Sequence, residues 1–216
     1  MMRTIRELDA TEVRVLGALM EKERATPDHY PMTINALIAA CNQKSNREPV
    51  TELSETEVVE ALERLRKDVL AWRSDGARVE RWSQSISRRL GLNTPSKAIL
   101  TLLMLRGPQT PGQLRSRSGR LYAFSELSEV EATLREMAAG EAPLAVALER
   151  QPGTKESRWA HRLGPEPTRD VTGSTTTLPP PQPATGPGLS ERLDAVERRV
   201  EELAGELRRL REELGS

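Results

Sequence analysis

Residues 54–82 read SETEVVEALERLRKDVLAWRSDGARVERW. Ser54 followed by Glu57 is a capping box, in which each side chain satisfies a backbone N–H that a helix start leaves unpaired. Val58, Leu62 and Leu65 then recur at helical spacing. Past Asp68 the period changes: Val69 to Arg73 reads as a strand, Asp75-Gly76 as a tight turn, and Arg78 to Trp82 as the returning strand. The segment is a helix that runs directly into a hairpin.

Working upstream, Asp9 and Glu12 form another capping box ahead of Val13, Leu16, Leu19 and Met20, and a short helix follows at about 33–43. Three helices and then a hairpin is the order of a winged helix. The same order recurs downstream. Thr94 reads as a cap with Pro95 at the first helical position, leading into Ile99, Leu102, Leu103 and Leu105. A second helix is expected at 111–121, and a third from about 126 with Val130, Leu134 and Met137. A hairpin follows, with Leu144 to Leu148, a turn at Pro152-Gly153 and a return through Ser157 to Trp159.

Thr26-Pro27 and Thr110-Pro111 are 84 positions apart, an offset that also aligns Asp9 with Asn93. The predicted fold is therefore mainly α with small β-hairpins, as two tandem winged-helix domains at 1–91 and 92–163. Pro27 to Val58 spans 31 positions and Pro111 to Val130 only 19, so the first unit carries about twelve extra residues. The run Cys41 to Pro49, CNQKSNREP, is expected to fill most of them, between the second and third helices.

Residues 164–188 are rich in proline, glycine and threonine, the composition of a disordered linker. Beyond them Leu189, Leu193, Val196, Val200, Leu203, Leu207, Leu210 and Leu214 alternate spacings of four and three, a heptad seam. In a parallel pair Arg192 would face Glu197 of the second copy and Glu206 would face Arg211, so residues 189–216 are expected to form a coiled-coil homodimer.

The 32 basic residues equal the 32 acidic ones, so no overall field draws the chain to nucleic acid or to a membrane, and any such binding must be local. Residues 1–91 balance at fifteen charges of each sign, whereas 92–163 hold ten basic against seven acidic. One cysteine, no apolar leader and no membrane-length apolar run lead us to expect a cytoplasmic protein.

Asn42, Gln43, Lys44, Asn46 and Arg47 are the side chains of CNQKSNREP suited to bases and phosphates, and Arg115, Arg117 and Arg120 form a second basic cluster. Against groove reading by the first unit, its third helix begins with Glu52, Glu55, Glu57 and Glu60, carboxylates that repel phosphates. The loop residues have two other uses: tying the loop to nearby backbone, or forming a surface for a partner protein or a small ligand. Catalysis is not expected. Cys41 ends the apolar face of Ile34, Leu37 and Ile38, and neither His29 nor His161 stands in a recognisable relation to it. No zinc spacing, phosphate loop or dinucleotide fingerprint occurs, so no cofactor or metal is expected.

Thr26 to Pro31 (TPDHYP), Asn35 to Val50 including CNQKSNREPV, Arg106 to Arg115 (RGPQTPGQLR) and Gly153 to Arg158 closely resemble the bacterial YceH-like family, over about residues 8–163. The linker and heptad segment lie outside that match and read as particular to this branch. The resemblance implies a cytoplasmic bacterial protein with two winged helices and no assigned activity, so it carries no functional residues across. The expected function is binding of double-stranded DNA as a regulator or accessory factor, the alternative being a protein–protein adaptor that uses its winged-helix surfaces.

Overall fold

In the computed structural model the described residues are 5–74, 79–150 and 156–164. Helix α1 (Ala10–Ala25) starts at the predicted capping box, Asp9 Oδ1 accepting from Glu12 N–H at 2.8 Å and Glu12 Oε2 from Asp9 N–H at 2.9 Å. A 3-10 turn (Pro27–His29) leads to α2 (Ile34–Cys41), capped by Thr33. Helix α3 (Glu55–Lys67) follows with the Ser54/Glu57 box in place, and then the antiparallel strands β1 (Ala71–Ser74) and β2 (Arg81–Gln84).

A short helix α4 (Ile86–Leu90) ends at Gly91, whose φ of 63° is the left-handed conformation that glycine adopts without penalty. The order then repeats as α5 (Thr94–Arg106), α6 (Pro111–Arg117), α7 (Leu127–Ala138), β3 (Ala145–Ala147) and β4 (Trp159–His161). The architecture is mainly helical with two small hairpins, as predicted. Each hairpin gains a third, one-residue rung from the segment before the second helix: Met32 pairs with Trp82 and Gln109 with Trp159, through N–H···O bonds of 2.8–3.0 Å in both directions.

Several boundaries differ from the sequence reading. Asn93, not Thr94, caps α5, its Oδ1 accepting from Ser96 N–H at 2.9 Å. The 84-residue offset from Asp9 located this cap better than the local Thr-Pro did. The first hairpin starts at Ala71, because Val69 takes a left-handed φ of 56° and stays exposed while Leu70 turns into the core. Helix α6 stops at Arg117, where Ser118 O accepts from both Leu121 N–H and Tyr122 N–H. The two turn positions, 75–76 and 152–153, lie outside the described residues, as do the linker beyond Gly164 and the heptad segment.

The twelve extra residues are also distributed differently. Thr110 caps α6 as Thr33 caps α2, so the structural partner of Thr110 is Thr33 and not Thr26. Seven extra residues therefore precede α2, where the 3-10 turn lies. Thirteen residues join α2 to α3 against nine joining α6 to α7, so CNQKSNREP accounts for only about four of the twelve.

Helices α1 and α5 pack against each other within one compact unit. Every residue of α1 from Glu12 to Met20, and of α5 from Ala98 to Leu105, is buried. A helix apolar on all sides needs neighbours on all sides. Gly17 provides the closest approach: a Cβ there would lie 3.0 Å from Leu105 Cδ2 and 3.2 Å from Met104 Cβ. Glu12 is, with Arg14, one of two charged exceptions among these residues. Burial pushes its carboxyl up, but Arg6 (2.6 and 2.9 Å), the Asp9 N–H and Arg64 (3.1 Å) outweigh burial and hold it below the usual carboxylate range.

Candidate nucleic-acid interface

The loop 42–53 is a built structure. Asn42 caps α2 and its amide bridges the neck of the loop, Nδ2 donating to Leu53 O and Oδ1 accepting from Leu53 N–H, both at 2.8 Å. Arg14, buried on α1, donates to Pro49 O at 2.6 Å and to Cys41 O at 3.4 Å.

Arg47 points inward. Its Nε donates to Ala40 O (3.0 Å), Nη1 to Glu21 Oε1 (3.1 Å) and Asn46 O (2.9 Å), and Nη2 to Glu21 Oε2 (2.6 Å) and Ala40 O (2.8 Å). A guanidinium has five N–H donors, and all five are filled. Burial pushes Glu21 up, yet Arg47 together with Lys22 holds its carboxyl below the usual range. Of the loop candidates, Asn42 and Arg47 therefore serve the fold. Gln43 is half-buried, and Lys44 and Asn46 are exposed. Cys41 is wholly buried, and burial pushes its thiol up to about 12, so it stays protonated near neutral pH and is a poor nucleophile.

The loop also reaches α5. Glu48 N–H donates to Leu105 O at 2.9 Å, and Arg106 Nη2 donates to Asn46 Oδ1. Arg106, the last residue of α5, was absent from the sequence-derived candidates; it meets the loop group through Asn46. In the α5–α6 turn, Arg117 Nη1 donates to Gln109 Oε1 at 2.9 Å, while buried Gln109 is fixed by its own donation to Leu102 O at 3.0 Å. Burial and then the Arg117 charge hold Arg106 below the usual guanidinium range, with Glu48 opposing. Arg115 donates to Ser125 O at 2.7 Å, and Arg115, Arg117 and Arg120 are all exposed.

A family model described as "Protein of unknown function, DUF480" matches residues 8–154. The chain belongs to the DUF480 family. Its relatives include a UPF0502 protein of Acidovorax sp. strain JS42, 42% identical over 97% of this chain and 95% of that protein. Another, from Geobacter sulfurreducens, is 51% identical over 80% of this chain and 78% of its own length. A third, from Delftia acidovorans, is 44% identical over 96% and 92%. This is an uncharacterised bacterial family, as the loop motifs led us to expect. Matches over 96–97% of the chain extend past residue 188, so the C-terminal segment is not particular to this sequence.

Within this DUF480 chain a simple sequence signal marks Arg106. Between Glu80 and Glu126 there is no aspartate or glutamate, and the 45 intervening residues carry Arg81, Arg88, Arg89, Lys97, Arg106, Arg115, Arg117 and Arg120. Net charges summed over whole domains average this run away. The third helices have the opposite character. Around the first half of α3 the outward residues are Glu52, Glu55, Glu57 and Glu60, and α7 carries Glu126, Glu129, Glu131 and Glu136 against Arg135. Among the described residues no helix is long and apolar enough to cross a membrane.

Proposed function

We propose that the chain is a non-enzymatic nucleic-acid-binding regulator or accessory factor that grips the phosphate backbone of duplex DNA. It does so through the α6 face and the end of α5, not by inserting either third helix into a groove. The observation that carries this reading is the acid-free run 81–125, in which Arg106 ends α5 and meets Asn46 of the loop, Arg117 meets Gln109 of the α5–α6 turn, and Arg115 and Arg120 lie exposed on and just after α6. Backbone contacts position a protein without conveying sequence, so the binding is weakly sequence-selective. The heptad segment 189–216 would pair two copies and so double the phosphate contacts available to one complex.

The test is titration of a labelled duplex at several salt concentrations. Each phosphate neutralised steepens the fall of log affinity with log salt by about 0.9. Replacing Arg115, Arg117 and Arg120 with glutamine should flatten that slope by about two to three. No detectable binding at low salt refutes the reading.

A second reading, a protein–protein adaptor, is favoured by the acidic α3 and α7 faces and by Trp72, which is 62% exposed on β1 with Val69 and Val79 also exposed. Tryptophan is a common energetic anchor of protein interfaces. A partner retained in pull-downs after nuclease treatment, and lost on Trp72→Ala, would support it.

A further inference from the structure

The β1–β2 hairpin has two unlike faces. Successive strand residues point to opposite sides, and the register pairs Trp72 with Ser83 and Ser74 with Arg81. Ala71 and Trp82 are buried on the side turned to the core, so Trp72, Ser74, Arg81 and Ser83 share the outer side. Ser83 Oγ donates to Trp72 O at 3.5 Å, and Arg81 stands diagonally across from Trp72, a cross-strand separation that long side chains bridge. Trp72 is 62% exposed, whereas Trp82 is buried and Trp159 half-buried.

A tryptophan that anchors a protein interface sits inside a well-packed, desolvated pocket. Here its neighbours within the paired rungs are two hydroxyls and a guanidinium, and exposed Val69 and Val79 lie beyond those rungs at opposite ends of the hairpin. The outer face is also cationic. Glu63 and Glu80 pair with Arg73, whose side chain leaves from the other side. Arg81 opens the acid-free run and donates Nη1 to Pro31 O at 2.9 Å, and no carboxylate among the described residues pairs with it. Pro31 adjoins Met32, which pairs with the far edge of β2, so the Arg81 head is held roughly two strand spacings, about 10 Å, from β1.

An exposed indole with a cation held across the same face suits a nucleotide, the base lying on the ring and the phosphate on the guanidinium. Bases in a duplex are stacked on one another, and an unpaired strand offers its base faces to aromatic side chains.

We propose that the outer face of the β1–β2 hairpin is a contact for single-stranded nucleic acid, in which Trp72 stacks on an unpaired base and Arg81 takes a phosphate of the same strand. The contact rests on the nucleic-acid reading above and extends it from paired to unpaired stretches.

Affinities for a labelled oligothymidylate strand and for a fully paired duplex should be measured on the full chain and on its Trp72→Ala and Trp72→Phe variants, with the melting temperature as a check on folding. Trp72→Ala should bind the single strand about tenfold more weakly and the duplex equally well, and Trp72→Phe should recover most of the loss, because stacking needs only an aromatic face. Arg81→Gln should flatten the single-strand salt slope by about 0.7, the loss of one phosphate contact. Tryptophan fluorescence should be quenched when the unaltered chain binds the strand, and Trp72→Phe should lack that quench. Equal single-strand binding by Trp72→Ala overturns the contact and, with duplex still bound, leaves the proposed function standing. A Trp72-dependent single-strand affinity in a chain that binds no duplex supports the contact and refutes the duplex reading. An unaltered chain that binds no single strand overturns the contact, and a nuclease-resistant partner lost on Trp72→Ala then assigns Trp72 to the adaptor reading.

Discussion

Replacing Arg47 with methionine tests whether this arginine serves the fold or a ligand. The substitution empties five hydrogen bonds at once: two to Ala40 O, one to Asn46 O and two to the Glu21 carboxylate. Removing one partner of a buried pair costs about 3–5 kcal/mol, because the other charge is left desolvated. Glu21 keeps 15% of its side chain in solvent and retains Lys22 at 3.4 Å, which trims the expectation to about 2–4 kcal/mol. For a chain of this length that is a fall in melting temperature of roughly 6–12 °C.

The loss should be strongly non-additive. Glu21→Met together with Arg47→Met removes both charges and should recover about 1–2 kcal/mol relative to the summed single losses. The pH dependence has a definite sign. In the unaltered chain Glu21 is held below the usual carboxylate range, so its contribution is complete above the unfolded carboxylate pKa and fades as pH falls through the folded one. Without Arg47, burial dominates and the carboxylate becomes a liability at neutral pH that protonation relieves. The stability gap between variant and unaltered chain should therefore narrow on going from about pH 7 to about pH 4. Urea unfolding across that range measures it. A variant as stable as the unaltered chain but unable to bind nucleic acid would refute the reasoning and return Arg47 to the interface.

At Asn46, whose φ is 61°, glycine should leave stability within about 0.5 kcal/mol while alanine costs about 1 kcal/mol, as chemical denaturation can resolve. Gly17→Ala should destabilise by about 1–3 kcal/mol, since the new Cβ lies 3.0 Å from Leu105 Cδ2; a neutral result would mean that the α1–α5 crossing yields easily. Burial lowers His161 to about 4, so the fold keeps it neutral. Stability is then complete above the ordinary value near 6.5 and falls with pH through the window down to 4, by at most ~3 kcal/mol. His161→Gln should flatten that limb of a melting-temperature profile. A chain ending at Gly164 should scatter light as a monomer while the full chain scatters as a dimer; equal masses would remove the heptad seam as the dimer interface.

The sequence was most legible where structure is local. Asp9 and Ser54 each announce a helix through the residue three places on, because both capping contacts lie within one turn; the like box of Thr110 and Gln113 went unread. It misled where a tertiary contact outbid a local preference. Val69 is β-branched and reads as strand, yet it turns left-handed so that Leu70 reaches the core. Thr26-Pro27 resembles Thr110-Pro111, yet only the latter caps a second helix.

The candidate interface was half legible for the same reason. Arg47 looks like any cation in a polar run until its partner Glu21, 26 residues away, is known. Arg106 closes the last turn of α5, where any cation suits the dipole at a helix C-terminus. Its bond to Asn46, 60 positions distant, is invisible to any window along the chain.

The mutual burial of α1 and α5 bears on how such a repeat can be used. A winged helix is ordinarily a portable part, added or removed without disturbing its neighbours. Here each copy leans its first helix on its twin, and Glu48 hooks the loop of one to the end of the other's helix. Cutting the gene after Gly91 would leave two fragments, each with the back of one apolar helix bare to water, a substrate for proteases and chaperones. Recombination can therefore trade the pair as a whole, and engineers who want one copy must first give its first helix a new polar back.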